Sequence, residues 1–238
     1  MQKRSQSIIL KRTAFGEADW IVTFFSRDEG RMGGIAKSAR RSMRRFGGAL
    51  EPATLVSISY FEKQAGGLVR IDEAVVERSP IGALKSLERI AAMTRALELA
   101  LAFLQERQPA PDKFTLLDSR LSALSDMEPG ISDSLAFELA WLMRCGFGPR
   151  LAGCASCGLI PDEGGKWAFD FEQGGVVCSC CPGSPGGRVE LTAGAMEALG
   201  RLHDGACPEE GGGAMLACRA LEGYVDHIIG RRMRTRNF

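Results

Sequence analysis

The first 80 residues carry a period of two. In Leu55–Phe61, Val56, Ile58 and Tyr60 alternate with Ser57 and Ser59, and in Leu68–Val76, Val69 and Ile71 alternate with Arg70 and Asp72. Such alternation marks half-buried strands. Ser7–Lys11, Asp19–Phe25 and Gly33–Ala36 are further short apolar runs separated by glycine and charged turns. Five strands in about 75 residues predict a small closed barrel, because closure leaves no exposed edge. A long insert, Lys37–Thr54, separates the third strand from the fourth. From Pro80 the period lengthens to three or four. Leu84, Leu87, Ile90, Leu97, Leu101 and Leu104 predict one amphipathic helix, ended by Pro109 and Pro111. Asp112–Leu124 and Ser132–Cys145 predict two more, after which Gly146 to Pro149 break the pattern. Two further helices are expected at Thr192–His203, with Thr192 as N-cap, and at Met215–Arg232.

These patterns predict an α+β chain: a small N-terminal closed β-barrel followed by an α-helical domain with an inserted four-cysteine module. The expected boundaries are 1–79 for the barrel, 80–149 and 190–238 for the helical domain, and 150–189 for the zinc module. The apolar stretch near residues 90–104 is interrupted by Arg95 and Glu98, so it is not a membrane span. Ile8-Ile9-Leu10 is too short for a signal-peptide core. The expected compartment is the reducing cytoplasm, where cysteines seldom form structural disulfides.

Charge changes the picture only when resolved along the 238 residues. The net charge of +1 argues by itself against a nucleic-acid ligand. By segment, residues 1–50 carry +7, residues 51–230 carry −10 and residues 231–238 carry +4. Two basic ends are masked by an acidic middle. The insert holds Lys37, Arg40, Arg41, Arg44 and Arg45 without an acid. Their three- and four-residue spacing would put them on one side of a helical turn. Arginine forks match phosphate oxygens, and close-set cations release counterions when they meet a strand. The alternative is a solvated polar face. Its place in a loop of a small barrel favours the nucleic-acid reading. Arg231, Arg232 and Arg234 form a second basic patch. Among the aromatics, Trp20, Phe24, Phe25, Tyr60 and Phe61 are expected mostly in the core. Phe46 is expected either to anchor its loop or to stack on a base.

Five of the eight cysteines fall in 150–190. Cys154 and Cys157, then Cys178 and Cys181, give the C-x2-C-x20-C-x2-C spacing of a zinc ribbon. Each pair spans one edge of a tetrahedron, and four protein ligands leave no open position, so one structural zinc is expected per chain. Cys180 is an alternative to Cys181. Neither pair begins a helix after a strand, which weakens a thiol-redox reading. Cys145, Cys207 and Cys218 are expected to be ordinary buried residues. No phosphate-binding G-x-x-x-x-G-K-[ST] occurs, and His203 and His227 lack a catalytic partner nearby in sequence. Nothing here predicts an enzyme.

Several segments together carry a resemblance. They are Gly16–Asp19 with Ile21–Phe25, Gly34–Arg41, Arg45–Pro52, Gly146–Pro149, Gly174–Cys178 and Gly230–Arg236. In this order, over nearly the whole chain, they resemble the bacterial RecO family of DNA-repair proteins. The resemblance implies that the N-terminal barrel is an OB-fold and that a zinc-binding module is lodged within the helical domain. It implies a recombination mediator that binds single- and double-stranded DNA and anneals complementary strands. It implies help in loading RecA onto strands coated with single-strand-binding protein. The implied partners are RecR, the C-terminal tail of single-strand-binding protein, RecF and RecA, at the nucleoid. The competing expectation is a zinc-ribbon scaffold that binds proteins and does not itself anneal DNA.

Overall fold

The computed structural model describes residues 2–62, 67–161 and 165–235. Arg236, part of the last resembling segment, lies outside them. The chain divides into two compact units, Met1–Glu128 and Pro129–Phe238.

In the first unit, β1 (Gln2–Phe15), β2 (Asp19–Ser26) and β3 (Gly30–Ala36) form a meander. The chain then passes through a single 3-10 turn (Ala39–Arg41) and a one-turn helix, α1 (Met43–Phe46), before β4 (Leu55–Phe61) and β5 (Val69–Arg78). The strands close into a barrel in the order β1-β2-β3-β5-β4. Closure depends on a short parallel ladder between β3 and β5, Gly34↔Val69 to Ala36↔Ile71. Gly34 permits that approach, since a Cβ there would lie 2.8 Å from the Ile71 side chain. β1 pairs with both β2 and β4, and its register with β2 shifts between Ile9 and Lys11, a bulge of the kind that sharpens twist at a barrel corner. The predicted alternation holds: Val56, Ile58, Tyr60, Val69 and Ile71 join Ile9, Val22, Phe24 and Met32 inside.

The insert between β3 and β4 is hydrophobically anchored. Phe46, Ala49 and Leu50 are buried in the same core cluster as the barrel interior. The returning chain is stitched to β1 by Ala53 N–H to Ile9 O (2.8 Å) and Ile9 N–H to Thr54 O (3.0 Å).

Beyond the barrel, the long helix expected from Leu84 is split. Pro80–Lys85 is 3-10, Ser86 caps the next helix by accepting from Arg89 N–H (3.2 Å), and α2 runs Leu87–Phe103. The leucine stripe therefore fails at its start and holds at Leu97 and Leu104, which are buried. Leu84 and Leu87 are exposed, whereas Ala92, Ala96, Leu97, Leu99, Ala100 and Phe103 are buried. Small alanines share the packed face with Leu97 and Leu99. Leu84, Leu97 and Leu101 line an apolar groove of about 790 Å³ with Leu10, Val76 and Ile81. α3 (Pro111–Asp126) begins with proline in its first turn and packs on α2.

The second unit holds α4 (Ile131–Arg144) and a small sheet of β6 (Trp167–Asp170), β7 (Gly175–Cys178) and β8 (Arg188–Leu191), ordered β7-β6-β8. It ends with α5 (Ala193–His203) and α6 (Gly212–Ile229). Thr192 caps α5 as its side chain suggested, accepting from Ala195 N–H (3.3 Å). Glu210 accepts from the backbone N–H groups of Ile131 and Ser132 (3.2 and 3.0 Å), placing a carboxylate at the positive end of α4. Buried Asp170 accepts from Glu172, Gln173 and Ser184 N–H (2.9–3.1 Å). Burial raises its carboxyl, but these donors outweigh burial and hold it below the ordinary carboxylate range. α6 ends at Ile229, three residues short of the expected Arg232, with Gly230 (φ 67) as its C-cap. Of the three isolated cysteines only Cys218 is buried; Cys145 is half-buried and Cys207 exposed on the Gly-rich loop. No helix among the described residues is long and apolar enough to cross a membrane.

The tightest constraint on the barrel unit is at Gly30, which opens β3 with φ +79. A Cβ there would lie 2.1 Å from the carbonyl oxygen of Gln108. Gly30→Ala combines a left-handed backbone with a backbone clash and should cost about 2 kcal/mol or more. A urea-unfolding midpoint lowered at unchanged slope is the expected result. An unchanged midpoint would contradict this packing.

Candidate nucleic-acid interface and metal centre

The basic insert is held in place by the turn between β1 and β2. Ser38 N–H donates to Asp19 Oδ1 (2.8 Å), and Arg40 N–H to Ala18 O (3.0 Å). Arg40 Nη1 donates to Glu17 O (3.2 Å), and Arg41 lies 4.0 Å from the Glu17 carboxylate. Two of the resembling segments, Gly16–Asp19 and Gly34–Arg41, thus meet in space. The run is not one helical turn, as its spacing suggested. Ser42 (φ −115, ψ 82) separates the 3-10 turn from α1. Lys37, Arg40, Arg41 and Arg44 are exposed, with Met43 exposed among them.

Arg45 differs from the other four. Its Nη2 donates to Lys37 O (2.8 Å), its Nε to Ser42 Oγ (3.2 Å), and its guanidinium lies 4.9 Å from the Phe46 ring centroid. It closes the loop on itself and is half-buried. Phe46, only 3% exposed, is an anchor and offers no face to a base.

The structure adds Arg12, which sequence did not single out, and Trp20, which was expected mostly in the core. Trp20 is half-buried where the β1–β2 turn meets the barrel, with Arg12 4.6 Å and Arg40 5.8 Å from its ring centroid. Arg12 is also paired with Glu51. A cleft of about 280 Å³ opens between Trp20, Arg12, Arg40, Met43, Gly47 and Gly48. The sequence signal was faint: Arg12 pairs with Val22 and Trp20 with Ala14, so the two residues meet diagonally across β1 and β2, a register not assignable without the barrel.

Arg231, Arg232 and Arg234 follow the end of α6 and are exposed. Their segment is fixed by Met233, which is 3% exposed and whose N–H donates to Asp226 Oδ1 (2.8 Å).

Cys154, Cys157, Cys178 and Cys181 come together in the second unit. Their sulfurs all lie within 4.8 Å of one another. The first pair sits on a tight turn made by Cys154 N–H to Leu159 O and Gly158 N–H to Cys154 O (both 2.8 Å). Ala155 N–H to Val176 O (2.7 Å) pins that turn beside β7. The second pair begins at the last residue of β7 and turns through Cys181 N–H to Cys178 O (3.2 Å). The Sγ···Sγ separations of 3.7–3.8 Å for 154–181, 157–178 and 178–181 suit a metal. A tetrahedron with metal–sulfur bonds of ~2.3 Å has edges of about 3.8 Å. Cys180 is exposed and outside the group. β6 and β7 form a hairpin that places Trp167 opposite Cys178, and β8 adds a third strand.

The thiols are electrostatically unequal. Burial pushes Cys154 up, but N–H donors from Cys157, Cys178 and Ser156 outweigh it and bring the thiol down to about 6. Cys181 is pushed up to about 12, first by the neighbouring Cys157 and Cys178 sulfurs and then by burial. One thiolate is favoured and the next is resisted. Four thiolates at these separations need a cation among them.

The family model described as recombination protein O N terminal matches residues 1–80, and that described as recombination protein O C terminal matches residues 84–237. The chain is 38% identical over 239 residues to the DNA repair protein RecO of Anaeromyxobacter sp. (strain K), spanning 97% of this chain and 93% of that protein. It is 33% identical over 238 residues to the DNA repair protein RecO of Myxococcus xanthus (strain DK1622), spanning 98% and 94%. The corresponding protein of Koribacter versatilis (strain Ellin345) is 38% identical over 181 residues, 75% of this chain. The chain belongs to the recombination protein O (RecO) family.

Proposed function

We propose that this RecO-family DNA repair protein is a non-catalytic recombination mediator that binds DNA through its barrel. One observation carries the reading. Lys37, Arg40, Arg41 and Arg44 stand exposed on a segment whose apolar side is buried in a closed barrel. Pre-positioned cations lose little entropy when they meet a phosphate chain. Arg45 supports the loop from within. Arg231, Arg232 and Arg234 supply a second basic patch.

Membership of the family supports the remaining parts of the proposal. The protein binds single- and double-stranded DNA and anneals complementary strands. With RecR and RecF it helps load RecA onto strands coated with single-strand-binding protein. The apolar groove beside Leu84, Leu97 and Leu101 is our candidate seat for the C-terminal tail of that coating protein. The place of action is the cytoplasm, at the nucleoid. We keep 1–79 as the DNA-binding barrel, 80–149 and 190–238 as the helical domain and 150–189 as the metal module. That division follows element type, whereas the compact units group α2 and α3 with the barrel. The metal is one structural zinc, held by Cys154, Cys157, Cys178 and Cys181, and it supplies cross-linking to a segment with little regular structure.

The net charge of −10 over residues 51–230 favours a second reading, a scaffold that holds basic protein surfaces without annealing DNA. Salt titration and annealing separate the two. For the wild type and for Lys37/Arg41/Arg44→Ala, affinity for oligo-dT is measured against salt. Loss of three phosphate contacts should flatten the log–log slope by about 2. The variant should also anneal protein-coated strands much more slowly. Unchanged slope and annealing would remove the site from the barrel. A wild type that binds RecR but anneals nothing would establish the scaffold.

Metal analysis of protein purified without added zinc should give about one zinc per chain. Cys180→Ser should retain it, and Cys154→Ser should lose it together with protease resistance of residues 150–189. A wild type with no metal and four titratable native thiols would refute the centre.

A further inference from the structure

Trp20 has the strand parity of Val22 and Phe24, which fill the barrel, yet it is only half-buried. It sits at the first turn of β2, where the interior opens to solvent. Arg12 and Arg40 lie 4.6 and 5.8 Å from its ring centroid. Neither guanidinium is loose: Arg12 is paired with Glu51, and Arg40 donates to Glu17 O. The adjoining cleft of about 280 Å³ has Gly47 and Gly48 on its rim. It has room for one planar ring system and none for a stacked duplex. Residues without side chains on the rim let a strand backbone approach.

We infer that this cleft is a binding site for one unpaired nucleobase, which takes the place over the Trp20 ring that the Arg12 guanidinium now holds, while Arg12 and Arg40 turn to the flanking phosphates. The inference rests on the DNA-binding reading and deepens it, because a stacking site favours single strands whereas exposed cations alone do not discriminate. Stacking on an aromatic ring tolerates any base, which suits a protein that must hold strands of any sequence. Phe46, the other aromatic of this region, is buried and cannot serve.

The test uses the full chain and its own fluorescence. Trp141 and Trp167 are 0% and 4% exposed, which leaves Trp20 as the accessible one of the three tryptophans. The probes are oligo-dT, an abasic oligomer of equal length and a duplex of equal length. Wild-type fluorescence should be quenched by oligo-dT and not by the abasic oligomer or the duplex. Trp20→Leu should lose the quench and roughly tenfold in affinity for oligo-dT, with its affinity for the other two probes unchanged. Trp20→Phe should recover most of the oligo-dT affinity. A Trp20→Leu protein with wild-type circular dichroism and unchanged oligo-dT affinity would overturn the inference and leave the DNA-binding reading standing. Equal quenching by the abasic oligomer would do the same. Should Trp20→Leu fail to fold, the wild-type quench and Trp20→Phe decide. A wild type that binds none of the probes overturns both.

Discussion

Five cations within nine residues repel one another, and a free loop would spread them apart. Burial of Phe46 and Leu50 opposes this in the barrel unit. A fully buried Phe or Leu side chain contributes about 1.5–3 kcal/mol. Repulsion between exposed charges several ångströms apart is about 1 kcal/mol or less in water, and salt screens it further. The apolar term wins, so the cations are held as a group instead of dispersing. The anchor works because the barrel is closed. Without the β3–β5 ladder, the interior into which Phe46, Ala49 and Leu50 pack would open.

The second unit applies the same principle with the opposite sign. Four sulfurs at 3.7–3.8 Å are brought together by two hydrogen-bonded turns on the small sheet. Here Cys154 and Cys178 are themselves buried, where thiolate repulsion is not eased by solvent, and a dication would be the fitting partner. The chemistry of each site follows from what offsets like charge. Where packing does so, the charge is left available for an anion. Where a metal would do so, the charge would be consumed in holding the fold.

Much of this was legible in the chain itself. The alternation at Val56-Ile58-Tyr60 and Val69-Ile71 depends only on which side of a strand each residue faces, and it identified the barrel interior. The cysteine spacing carries its geometry locally, and the sequence left only the choice between Cys180 and Cys181 open. The start of the leucine stripe misled because phase is not local: Ser86 caps a new helix, which leaves Leu84 and Leu87 exposed while Leu97 and Leu104 are buried as expected. Arg45 was indistinguishable from its neighbours until the loop folded, since its partners are the Lys37 carbonyl and the Phe46 ring. Trp20 looked like a core residue for the same reason. Its parity is that of the core, and only the position of the β1–β2 turn brings it to the edge.

Hydrogen exchange of the full chain, with and without oligo-dT, locates the DNA without altering any residue. Bound strand should slow exchange in the β1–β2 turn and in residues 37–50. The metal module should change little. Slowing confined to residues 129–235, with the barrel insert unaffected, would contradict a barrel-borne DNA site.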